Sequence, residues 1–153
     1  MTAISMEAPG LVSSRQTTGR LELALASRRE SCEAARLEVD RFLAPWEPGA
    51  QALFAIELVL EEVLMNIVWH AHAQADDTTI GLAVEVRADA FELRFEDQGA
   101  PFDPTEAPPP SVPATLDEAR PGGLGIALVR KFARSLAYER AGRYNRLTIT
   151  IDR

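Results

Sequence analysis

The chain has few of the residues that build most redox and metal sites. Its 153 residues include one cysteine, Cys32, and two histidines, His70 and His72. One thiol excludes an internal disulfide framework, and a thiol with two imidazoles is too small a donor set for structural zinc. There is a single lysine, Lys131, and no Gly-Lys pair, which excludes a Walker A phosphate loop. Basic charge is also short: 16 Lys and Arg against 23 Asp and Glu give a net charge of -7. That balance offers neither a nucleic-acid footprint nor a patch for anionic lipid. No stretch approaches the roughly 18 apolar residues of a membrane span, and Met1 to Ser5 show no basic n-region leading into an apolar h-region. The expectation is a cytoplasmic protein, neither exported nor membrane-embedded, that binds no nucleic acid.

What is present suits one folded domain, since 46% of the residues are apolar. Residues 1–18, rich in Ser, Thr and Gly and without a period, read as a disordered leader, leaving 19–153 as the domain. Leu21, Leu23 and Leu25 alternate with Glu22 and Ala24 as in a strand, and from Arg28 to Leu43 the spacing turns helical, ending before Pro45. A long helical pattern without Gly or Pro runs from Gln51 to about Ala73. Ile80 to Val86 and Phe91 to Phe95 read as two antiparallel strands joined by a turn at 88–90. The stretch from about 99 to 122 holds most of the ten prolines and little apolar periodicity, as a functional lid would. A helix from Leu124 to Ala133 and a hairpin turning near Gly142 complete the order β-α-α-β-β-lid-α-β-β. This order predicts an α+β fold, a two-layer α/β sandwich with a mixed, mostly antiparallel sheet and helices on one face.

Three places carry candidate chemistry. On the long helix, Ile56, Leu60, Val63, Leu64, Ile67 and Ala71 form one apolar stripe, and Glu62, Asn66 and His70 form an i, i+4, i+8 row along its border. A carboxylate and an amide beside a core need polar partners, which Mg²⁺ and a phosphate would supply; a solvated helix border is the plainer alternative. Asp97 shares the parity of Phe91, Leu93 and Phe95, so it projects toward the core side just before Gln98 and Gly99. It either accepts from an exocyclic amine or bonds its own backbone two residues on, in an Asx turn. Pro121, Gly122, Gly123, Leu124, Gly125 and Ile126 lead into a helix, whose unpaired N–H groups favour an anion; plain loop flexibility is the alternative. The turn follows a Pro-rich loop and lacks the last Gly of a Rossmann fingerprint.

Taken in order, Glu62-Val-Leu-Met-Asn66-Ile-Val-Trp-His70, Asp97-Gln-Gly99 and Gly122-Gly-Leu-Gly125-Ile resemble the N, G1 and G2 boxes of the GHKL ATPases, over residues 20 to 152. The Pro101-Phe102-Asp103-Pro104 opening of the lid and Tyr138 to Leu147 are most similar to the stand-alone anti-sigma factor serine/threonine kinases of that superfamily. The resemblance implies a Bergerat ATP-binding fold with ATP and Mg²⁺ as cofactors. It also implies Glu62 as general base for the attacking hydroxyl, Asn66 as Mg²⁺ ligand, His70 as part of the same box, and Asp97 with Gly99 at the adenine. Gly122, Gly123, Leu124, Gly125 and Ile126 would line the phosphates. Pro121 departs from the pattern, standing where some relatives keep a basic residue near the terminal phosphate, with Arg120 one position before. The partners implied are an anti-anti-sigma factor of the STAS type as substrate, a sigma factor, and a second copy of the chain in a homodimer. Two other readings of the same boxes are a nucleotide-gated binding module without transfer and the catalytic domain of a histidine kinase.

Overall fold

A computed structural model describes residues 8–71, 78–106 and 125–153, without the side chains of His70 and Ala71. Its elements are β1 (Leu11–Thr17), β2 (Arg20–Ala26), α1 (Glu30–Leu43), α2 (Ala50–Ala71), β3 (Thr79–Val86), β4 (Ala90–Asp97), α3 (Gly125–Phe132), β5 (Ser135–Ala141) and β6 (Tyr144–Asp152). A short 3₁₀ turn, Ala44–Trp46, links α1 to α2. The helix after Leu43 is interrupted where Pro45 removes a donor, and Glu47 takes a left-handed φ of 48° to redirect the chain.

The six strands lie in the order β1-β2-β3-β4-β6-β5. The antiparallel character expected for most of the sheet extends to all five neighbouring pairs. One face carries Leu23 opposite Leu82, Val84 opposite Leu93, and Phe95 opposite Leu147, all buried. These side chains form a single core with Val39 and Phe42 of α1 and Ile56, Leu60 and Leu64 of α2, so the helices cover that face. The other face is a mesh of ion pairs, among them Arg20 with Glu85 and Arg146 with Glu96. Alternation of apolar and charged residues along each strand sets this division.

The N-terminal end differs from the expectation. Leu11–Thr17, expected to lie in a disordered leader, is instead an edge strand paired along β2. Six of its seven residues are exposed, so it gains its place through backbone hydrogen bonds and shows no apolar period. The observed order is therefore β-β-α-α-β-β-α-β-β. Among the described residues no helix is long and apolar enough to cross a membrane.

The arrangement that matters for the site is the exchange at the end of the sheet. β6 inserts between β4 and β5, and the register sets Asn145 directly opposite Asp97. Gly142, with φ of 60°, makes the tight reversal from β5 into β6.

Candidate functional site

α2 buries Ala55, Ile56, Val59, Leu60, Val63, Leu64 and Val68. Glu62 and Asn66, one turn apart on the border of that stripe, are half-buried. α3 runs antiparallel beside α2. Its first residue, Gly125, meets Glu62, and near its far end Phe132 meets Phe54 edge-on with ring centroids 5.3 Å apart. A Cβ on Gly125 would fall 1.7 Å from Glu62 Oε2 and 2.2 Å from its Cδ. Only glycine lets the helix start approach the carboxylate this closely. Burial pushes the Glu62 carboxyl above the usual carboxylate range, and the neighbouring Glu61 charge adds to the shift. A carboxylate in that position is a stronger proton acceptor than one in water.

Next to this pair lies a cleft with about 490 Å³ of empty space, part of it open to solvent. Its walls are mostly apolar: Phe95 and Leu147 from the sheet, Val63 and Ile67 from α2, Ile126 from α3, and Phe102 and Pro104 from the segment after β4. Asn66, Asp97 and Asn145 are polar residues that converge on it. The Arg130 guanidinium donates to the Pro104 carbonyl, tying the start of the lid segment to α3.

Asp97 is held through one oxygen. Its Oδ1 accepts from the Gly99 N–H at 2.8 Å and from Asn145 Nδ2 at 3.0 Å. The Asx turn offered by the sequence is therefore present, and Asp97 lines the cleft at the same time. Asn145 in turn accepts at Oδ1 from the Tyr138 hydroxyl at 2.6 Å and from Arg140 Nη1 at 2.9 Å.

Of the sequence-predicted site residues, Asn66, Asp97, Gly99 and Ile126 line this cleft. Glu62 and Gly125 are pressed together and adjoin the lining residues Val63 and Ile126. His70 belongs to α2 but its side chain, like Gly122, Gly123 and Leu124, lies outside the described residues, as do Arg120 and Pro121. Asn145, Tyr138 and Phe102 line the cleft without having been assigned a part in it. For Asn145 a signal existed: it shares the parity of Leu147, Ile149 and Ile151 and is likewise buried.

An apolar slot ending in a carboxylate fits a flat purine with an exocyclic amine. The family model for the histidine kinase-like ATPase domain matches residues 25–151, which takes in both carboxylates and the helix that follows the glycine turn. The chain belongs to that family. Membership in this GHKL-type group implies ATP binding. Among relatives of this histidine kinase-like ATPase domain is the serine/threonine-protein kinase BtrW of Bordetella bronchiseptica, 37% identical over 102 residues, which are 67% of this chain and 72% of the relative. The anti-sigma F factor of Halalkalibacterium halodurans is 21% identical over 112 residues, 73% of this chain and 77% of the relative. The structure of the RsbU and RsbW domains of a Mycobacterium tuberculosis protein superposes with a TM-score of 0.61 at 15% identity, covering 91% of this chain and 34% of that one. This likeness shows that the ATPase domain shares their fold.

Proposed function

We propose that this chain is a serine/threonine protein kinase of the anti-sigma type. It binds ATP with Mg²⁺, phosphorylates a hydroxyl of an anti-anti-sigma partner with a STAS domain, and regulates transcription by switching between that partner and a sigma factor. The observation that carries the reading is the Glu62 carboxylate, raised in pKa and set against Gly125 one helical turn from Asn66. The kinase BtrW and the anti-sigma F factors among its relatives support it.

Each residue has a part. Asp97 accepts from the adenine amine, with Gly99 beside it, while Phe95, Ile126 and Leu147 enclose the ring. Asn66 would hold Mg²⁺, with His70 four residues further along the same helix. Mg²⁺, when bound, neutralises charge on the phosphates. Gly122, Gly123 and Leu124, together with Gly125 at the start of α3, would hold those phosphates through backbone N–H groups. Glu62 takes the proton of the attacking hydroxyl, and the bond between the terminal phosphorus and the bridging oxygen of ADP breaks. The protein works in the cytoplasm, as a homodimer. A second reading, a nucleotide-gated module that binds without transferring, is favoured by Pro121, which stands where the resemblance implies a basic residue in some serine kinases of the family.

Calorimetric titration with ATP and Mg²⁺ tests the site before any partner is known. Micromolar binding, lost in Asp97→Asn and in Asn66→Ala, is the expected result; a wild-type protein that takes up no ATP sinks the proposal. Light scattering tests the dimer, which a monomer at micromolar concentration would refute.

A further inference from the structure

Asn145 is 6% exposed, and each of its polar atoms is engaged. Nδ2 donates to Asp97 Oδ1 at 3.0 Å, to the Ala100 carbonyl at 3.0 Å and, at 3.3 Å, to the Gly99 carbonyl. Oδ1 accepts from Tyr138 and Arg140. An amide has two hydrogens and two lone pairs, and all are committed to protein, so Asn145 has no capacity left for a ligand. It does brace a group that can receive one. Both hydrogen bonds of the Asp97 carboxylate fall on Oδ1, and among the described residues none falls on Oδ2.

We infer that Asn145 is a positioning residue for base selection: it holds Asp97 so that the free oxygen receives the exocyclic amine of an adenine-type base, and it pins Gly99 and Ala100 at the root of the lid segment. The inference rests on the reading of the cleft as an ATP site. A side-chain amide suits the place because donors must face Asp97 and two carbonyls while an acceptor faces Tyr138 and Arg140. A carboxylate lacks the donors and a hydroxyl lacks the reach. Since Asn145 acts mainly through Asp97, its contribution depends on the base: a nucleotide without the amine feels it less.

The test compares ATP with purine riboside 5′-triphosphate, which lacks the 6-amino group, by calorimetry on the wild type, Asn145→Ala and Asn145→Asp. The Asp variant is nearly isosteric and keeps the acceptor for Tyr138 and Arg140, but it turns an oxygen toward Asp97. In both variants ATP affinity should fall about tenfold, the scale of one hydrogen bond to a charged group, and affinity for the amine-free analogue less than about threefold. The deficit of Asn145→Asp should also shrink as pH is lowered and its carboxyl regains a proton to donate. Equal losses for the two nucleotides, or no loss, in a variant whose circular dichroism melt matches the wild type overturns the inference. If the Ala variant does not fold, the Asp variant decides between the same outcomes. A wild type that binds ATP no better than the analogue also refutes it, leaving the cleft intact, whereas a wild type that binds neither refutes the reading of the cleft itself.

Discussion

The Asp97 end of the cleft and the Glu62 end are built by different means. At the first, a carboxylate at the end of β4 is fixed by the Gly99 N–H just after that strand and by an amide of β6 that is itself braced by a tyrosine and an arginine of β5. At the second, the Glu62 carboxylate has no recorded hydrogen bond among the described residues and is pressed against a glycine, with its charge disfavoured by burial and by Glu61. The first end is fixed through Oδ1 before a ligand arrives, with Oδ2 left to receive one; the second holds a costly charge. Specificity calls for a fixed acceptor, whereas proton transfer calls for a base that gains by taking a proton.

The largest break in this comparison comes from Glu62→Gln. Phosphoryl transfer measured with labelled ATP should drop by roughly 10²–10⁴, the usual contribution of a general base, while ATP affinity changes little. Loss of binding instead of turnover would mean that Glu62 holds the nucleotide. Asp97→Asn should do the reverse end for end, weakening ATP and adenosine alike by about 10–100-fold in calorimetry, as expected for one charge-assisted hydrogen bond. Gly125→Ala separates the two ends. The added methyl must displace the Glu62 carboxylate, so ATP should bind about tenfold more weakly while adenosine is held almost as well.

A smaller effect sharpens the contrast in pH. Because the Glu62 pKa is raised in the folded state, the folded protein binds more protons than the unfolded chain between the two pKa values, and stability falls as pH rises through that window. Glu62→Gln should therefore melt higher than wild type at neutral pH, with the gain fading toward about pH 4, near the ordinary carboxylate value. Transfer has the opposite sign, rising with pH as Glu62 loses its proton. A variant that melts lower at every pH would show that the carboxylate is not under strain. The smallest change is Arg146→Ala on the ion-paired face, where the partners Glu96 and Glu139 are partly or largely exposed. The chemical denaturation midpoint should barely move, with nucleotide binding unaltered.

Much of the fold was legible because it rests on local periods. The apolar stripe of α2, the alternation in β2 and β4, and the Gly142 turn are written into neighbouring residues. β1 escaped because LVSSRQT has one strand neighbour and no buried face, so neither period nor hydropathy marks it. At the site, Asp97 was placed on the core side by parity alone, and the same rule applied to β6 points Asn145 inward. Its pairing with Asp97 was out of reach, because it follows from the insertion of β6 between β4 and β5, which no local pattern encodes. The closeness of Gly125 to Glu62 is likewise a contact between two helices far apart in sequence.

The inserted strand also orders events in time. Asp97 and Asn145 are 48 residues apart, and β4 has an unpaired edge until β6 takes its place beside it. On the ribosome, β4 and its aspartate emerge well before the strand that completes them, so the nascent domain passes through a stage with an open sheet edge and a loosely held acid. Ligand affinity should appear late and abruptly during synthesis.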